Sequence, residues 1–258
     1  MIALTSDQLN AWIAAFIWPL ARVSGVFMAS PLFGSQAIPG MVKIGAVIAL
    51  TVVVAPLVPA MPAIDPASPV GLVILAQQWV VGLAMGFVLQ IVMAAVAMAG
   101  EAISMTSGLG FAAFFDFQTR SQSNAISQFL VMSATSAFLA ANGHLALIAA
   151  LVESFSTLPV GSEPMGKASL WQLALWGKII FSYGVQIGLP VITTLLLANL
   201  ALGILTRAAP QLNLFNIGFT LTLGIAFVSI ALAIPYLLVP IEHLFREGME
   251  LLGRIAKR

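Results

Sequence analysis

VGLVILAQQWVVGLAMGFVLQIVMAAVAMA, residues Val70 to Ala99, contains no charged side chain. A helix crosses a hydrocarbon core of about 30 Å with roughly 20 apolar residues, so this run can cross with residues to spare. As one helix it would extend about 45 Å at 1.5 Å per residue, an excess that tilting alone hardly absorbs. In lipid the backbone must satisfy its own hydrogen bonds, and a helix does so locally. Transmembrane β-strands would read as short alternating segments, and none are visible. The expected fold class is an all-α membrane protein.

The rest of the chain repeats the pattern. Five further hydrophobic segments run from about Leu9 to Phe33, Val42 to Val58, Ser123 to Leu151, Leu170 to Leu205 and Ile217 to Val239. Turn-rich pieces separate them: Gly34 to Gly40, Pro59 to Pro69, Gly100 to Gln122, Pro159 to Ser169, and Thr206 to Asn216. No soluble domain or low-complexity tract interrupts this order, so one domain over residues 1–258 is the simplest reading. Leu170 to Leu205 contains Gly177, Gly184, Gly188 and Pro190, residue types that kink or break helices. Broken or re-entrant helices are expected there.

Composition agrees. Hydrophobic residues make up 60% and charged residues 7% of the chain, against about 25% charged in a soluble domain. A net charge of +1 implies no nucleic acid and no strongly charged partner. The absence of cysteine removes disulfides, thiolate metal sites and cysteine nucleophiles together. Met1 to Asn10 has no basic residue before the first apolar run, unlike a cleaved signal peptide, so that run is expected to be retained.

The positive-inside rule gives a contradictory topology. Arg246, Arg254, Lys257 and Arg258 argue for a cytoplasmic C-terminus, yet six spans then send Lys43, Arg120 and Arg207 to the opposite side. Conventional spans are therefore doubtful. In the tail, Ile241, Leu244, Phe245, Leu252 and Ile255 share a helical face, with Glu242, Arg246, Glu247, Glu250, Arg254 and Lys257 around the others. This period predicts an amphipathic helix over 241–258, lying on a membrane or a partner.

Interruptions of hydrophobicity are where function is sought, because an intramembrane charge costs several kcal/mol on insertion scales. Arg22 and Lys178 lie inside hydrophobic segments; Glu101, Glu153 and His144 lie at or near segment ends. For Arg22 a buried partner contact and snorkelling to the interface both remain open. No HExxH motif or metal-ligand spacing is present. Ser107 with the distant His144 could be imagined as an intramembrane serine protease pair, a combination that arises easily by chance.

The most unusual stretch is Gly108-Leu109-Gly110-Phe111-Ala-Ala-Phe114-Phe115-Asp116-Phe117-Gln-Thr-Arg120. It is too short to span. Its phenylalanines suit closing a channel by excluding water and ions, or packing a re-entrant loop against neighbouring helices.

The run Arg22-Val-Ser-Gly-Val-Phe-Met-Ala-Ser-Pro-Leu-Phe-Gly34, with Ile38-Pro39, Val42-Lys43-Ile44-Gly45 and Ala55-Pro56, resembles the N-terminal region of the FliR family of flagellar type III export proteins. Gly108 to Thr119, Asn142-Gly143-His144 with Leu158-Pro159, and Leu200-Ala-Leu-Gly-Ile-Leu-Thr-Arg-Ala-Ala-Pro-Gln211 resemble later signatures in the family's order. Two positions depart from the pattern. Gly40 and Met41 stand where a basic pair is frequent, and Phe117 follows Asp116 where proline is common.

The resemblance implies a core subunit of the flagellar type III export gate, not an enzyme and without a cofactor. It implies long, kinked helical hairpins, FliP-like plus FliQ-like in one chain, assembled with FliP-like and FliQ-like subunits into a pore for unfolded flagellar proteins. A FlhB-like switch protein would dock on that complex. The place implied is the bacterial inner membrane within the flagellar basal body, with part of the assembly toward the periplasm. Gly108 to Arg120 would be the pore plug, and Arg22, Lys43, Glu101, Arg120, His144 and Arg207 buried polar or partner contacts. A small-solute transporter, suggested by broken helices, is the rival reading.

Overall fold

The computed structural model describes residues 6–59, 62, 64–109, 125–161, 165–209 and 218–255. These are all-α, without a strand among the described residues. The elements are α1 (Ser6–Ala29), α2 (Gly40–Val54) followed by a 3-10 turn (Ala55–Leu57), α3 (Pro69–Ser107), α4 (Ala125–Ala140), α5 (Gly143–Thr157), α6 (Lys167–Trp176), α7 (Ile179–Ala208) and α8 (Phe219–Ile255). Five helical stretches are long and apolar enough to cross a membrane, or six if α4 and α5 form one broken span.

Several boundaries differ from the sequence expectation, each for a local reason. Helix α3 continues for 39 residues to Ser107, through the stretch expected to turn from Gly100, so Glu101 lies on a helix and not at its end. The segment read as Ser123 to Leu151 is two helices separated at Ala141–Asn142. Asn142 has φ 57, a left-handed conformation that asparagine tolerates better than most residues and that cannot continue a right-handed helix. In Leu170 to Leu205 the break falls at Gly177–Lys178, whereas Gly184, Gly188 and Pro190 lie inside unbroken α7. The tail is the end of α8, not a separate helix.

The chain forms two compact units, residues 1–91, 142–177 and 246–258 in one and residues 92–141 and 178–245 in the other. In the first unit, α1 packs on the N-terminal half of α3 with backbones almost touching. A Cβ added to Gly25 would lie 2.5 Å from the Trp79 carbonyl oxygen, and one on Gly86 would lie 2.8 Å from Ala29 Cβ. Gly82 and Gly86 make a small-xxx-small pair on α3. Such pairs let helices approach closely where lipid, as apolar as leucine, removes the usual hydrophobic drive. Ala14, Trp18 and Ile74 form a buried cluster, with Ile64, Leu75 and Val160 against it.

In the second unit the C-terminal half of α3 is the centre. Val92, Val96, Ala99 and Ile103 are buried, at the three- and four-residue spacings of one helical face. Helix α4 presents Ile126, Leu130, Ala134 and Phe138, one residue per turn, and Ser127 Oγ donates to the Ala97 carbonyl at 3.1 Å. On α7, Gly184 meets Met98, and Gly188 lies beside Ala99, so these glycines serve close packing, not breakage. The Phe138 and Phe245 rings meet at 4.8 Å between centres, tilted by 35°.

Candidate functional site

Two constellations stand out, one in each unit. The first surrounds Arg22, which α1 places at 0% exposure. Its Nε donates to Gln78 Oε1 at 2.9 Å, Nη1 to Ser154 Oγ at 2.9 Å, and Nη2 to the Leu158 carbonyl at 2.8 Å. Nη2 also donates to Gln78 Oε1. The guanidinium lies 4.0 Å from the centre of the Phe155 ring, a cation–π contact. Of the two sequence alternatives for Arg22, the side chain follows the buried one.

No carboxylate pairs with Arg22 among the described residues. Its charge is met by neutral acceptors and one ring, which suits the planar donor fork of arginine and would not suit lysine. One side chain thus joins α1, α3, α5 and the turn after α5. Sequence reading missed Gln78, Ser154 and Phe155. The available signal was the pair Gln77 and Gln78 within a mostly apolar run, since polar side chains join helices in apolar surroundings.

The second constellation lies at the end of α3. Asn199 Nδ2 on α7 donates to the Thr106 carbonyl at 3.2 Å, and Thr222 Oγ1 on α8 reaches the Ser107 carbonyl at 3.4 Å. The last carbonyls of a helix lack intrahelical partners, and here neighbouring helices supply them. Gly108 follows at φ 86, where a glycine leaves the helix without strain. A cavity of about 640 Å³ lies there, lined by Thr106, Ser107, Gly108, Asn199, Gly203 and Thr222 among others. Leu109 and Ala125 line a second, apolar cleft of about 380 Å³ with Phe129, Phe227 and Ile230.

Gly110, Phe111, Phe114, Phe115, Asp116, Phe117 and Arg120 lie outside the described residues. Of the remaining sequence candidates, Lys43 Nζ donates to the Gly34 carbonyl at 3.0 Å. Glu101 is half-buried on α3. His144 is half-buried, and its Nδ1 has no partner among the described residues. Arg207 is exposed in the last turn of α7, where a cation complements the helix dipole. The Ser107 hydroxyl is committed to the Ser104 carbonyl at 2.9 Å. Lys178 is exposed at the α6–α7 break.

The sequence model of the family described as bacterial export proteins, family 1, matches residues 13–248. The chain belongs to this family. Bacterial export protein relatives match over nearly the full length. The flagellar biosynthetic protein FliR of Escherichia coli (strain K12) is 39% identical over 255 residues, covering 99% of this chain and 97% of that one. FliR of Pectobacterium carotovorum subsp. carotovorum is 37% identical with the same coverage. FliR of Bacillus subtilis (strain 168) is 28% identical over 243 residues, 92% of each chain. Both constellations fall within the region that the export-protein family covers.

Proposed function

We infer that this chain is a core subunit of the flagellar type III protein export gate. The observation that carries the reading is its near-complete match to FliR chains. Membership of the export apparatus also accounts for the apolar surface. Helix α2 exposes Met41, Ile44, Val52 and Val53, and α7 and α8 expose Phe181, Leu197, Val228 and Leu232. Contiguous apolar area of this kind marks contact with a membrane or with other proteins. A small-solute transporter is not favoured, since the relatives are flagellar export proteins and not carriers.

In the proposed mechanism the chain assembles with FliP-like and FliQ-like subunits, itself resembling one of each, in the inner membrane with part of the assembly toward the periplasm. A FlhB-like protein docks on the complex, and unfolded flagellar subunits pass through its pore. The chain acts as one functional domain and makes or breaks no bond. Its tail, with Leu244, Leu252 and Ile255 buried and Glu250 paired to Arg254 at 3.6 Å, keeps a charged face for a partner or the membrane surface.

Gly108 to Arg120 plugs that pore, and Phe111, Phe114 and Phe115 exclude water and ions until a substrate passes. The fixed end of α3 supports this role, because a plug must spring from an anchored base. Deleting Gly108 to Gln118 and recording conductance of the purified complex in a bilayer tests the assignment. A leak of ions is expected, and a complex that stays tightly closed refutes the plug.

A further inference from the structure

Between α1 and α2 runs a cleft of about 680 Å³, lined by Ile17, Leu20, Phe27 and Met28 of α1 and by Lys43 and Ile48 of α2, among others. We propose that it binds one anionic phospholipid, with the phosphate at Lys43 and an acyl chain along α1. The volume lies within the roughly 300–1,000 Å³ of small-molecule sites. What selects the ligand is the distribution of polarity along the cleft.

Its polar end is the loop joining the two helices. Lys43 lies in the first turn of α2, and its Nζ donates to the Gly34 carbonyl of that loop. One neutral acceptor leaves an ammonium with two further donors, and no ion pair joins Lys43 to any described residue. Helix α2 adds positive potential of the same sense. Its N-cap is Pro39, which supplies no capping side chain, and its first turn has no acidic residue, so the amide groups there favour an anion. Among the described residues nothing compensates the positive charge at this end of the cleft.

From that end the lining is apolar except for Ser24, whose hydroxyl donates to the Ala21 carbonyl of its own helix at 2.9 Å. Ile48 lies five residues further along α2, about 7.5 Å deeper, and Ile17 lies twelve residues before the end of α1, about 18 Å away at 1.5 Å per residue. A cation at the ends of two apolar helices, with an apolar slot running inward, matches an amphiphile whose charge stays at the interface. Free phosphate would use only the mouth, and a neutral lipid only the slot. A partner helix would fill the slot but would have to bring its own carboxylate to Lys43.

The test uses the full-length chain, delipidated in detergent and titrated by native mass spectrometry. The probes are dioleoyl phosphatidylglycerol and dioleoyl phosphatidylcholine. Phosphatidylglycerol should bind at one site roughly fivefold more tightly, the effect of one lysine near an anionic headgroup. Lys43→Gln should abolish this preference while leaving weak binding of both lipids. Ile48→Trp, which fills the slot and leaves Lys43 in place, should remove the bound lipid. Equal affinity for the two lipids overturns the proposal, as does a preference that survives Lys43→Gln. Displacement of the lipid by millimolar inorganic phosphate reduces the site to an anion contact and also overturns it. If cross-links from Ile44 in the assembled complex go to a partner helix and lipid is absent, the cleft is a protein interface and the proposal fails.

Discussion

Replacing Arg22 by methionine asks whether a buried cation without a carboxylate organises its unit or burdens it. Methionine keeps an apolar stem but donates no hydrogen bond. Gln78 Oε1 and the Leu158 carbonyl would lose their donors inside a closed site, at about 1–3 kcal/mol each. The contact with Phe155 contributes about 2 kcal/mol when desolvated. Against these stands relief from burying the charge, itself several kcal/mol. Ser154 loses little, because its hydroxyl still donates to the Leu151 carbonyl at 2.6 Å. The net expectation is destabilisation by about 2–4 kcal/mol.

Reversible unfolding of the purified chain in mixed micelles measures that loss. Arg22→Lys should fall between wild type and Arg22→Met, since one ammonium cannot reach Gln78, Ser154 and Leu158 together. Adding Gln78→Leu to Arg22→Met removes an orphaned acceptor, so the pair should recover about 1–3 kcal/mol relative to additivity. Arg22→Met as stable as wild type would refute the reasoning, for it would mean that desolvation of the guanidinium outweighs all four hydrogen bonds.

Two further substitutions test the packing and the break between helices. Gly25→Val drives a side chain into the Trp79 carbonyl and the Leu83 amide nitrogen, 2.5 and 2.9 Å from the added Cβ; because backbone cannot yield as a side chain does, destabilisation at or above the usual 1–3 kcal/mol or so of overpacking is expected in the same unfolding measurement. Asn142→Gly should leave stability within about 0.5 kcal/mol, whereas Asn142→Val, β-branched at φ 57, should lose more than about 1 kcal/mol. Equal midpoints for these two variants would remove the left-handed residue as the cause of the break.

Hydropathy alone determined that the chain is helical and apolar, because a charge-free run such as Val70 to Ala99 has few other ways to satisfy its backbone in lipid. Ordered short motifs were sufficient to place it among export proteins. Ile241, Leu244, Phe245, Leu252 and Ile255, which their spacing groups on one helical face, are all buried. Glycine was where such reading fell short. Gly177 marks a break, while Gly184 and Gly188 are packing positions inside α7. The residue type is identical, and only the neighbouring backbone distinguishes the uses.

The same holds for polar groups. That Arg22 is unusual could be read from its surroundings in sequence, but its partners lie 56, 132 and 136 positions away. No local pattern encodes such distances; they arise when α1 is drawn onto α3 by glycine contacts and α5 closes over both. Asn199 and Thr222 likewise become the anchors of α3 only through packing. The sequence by itself determined the material of the helices and the family to which they belong. Tertiary structure decided which polar side chains meet, because in an apolar setting the cost of an unpaired polar atom is settled by three-dimensional proximity.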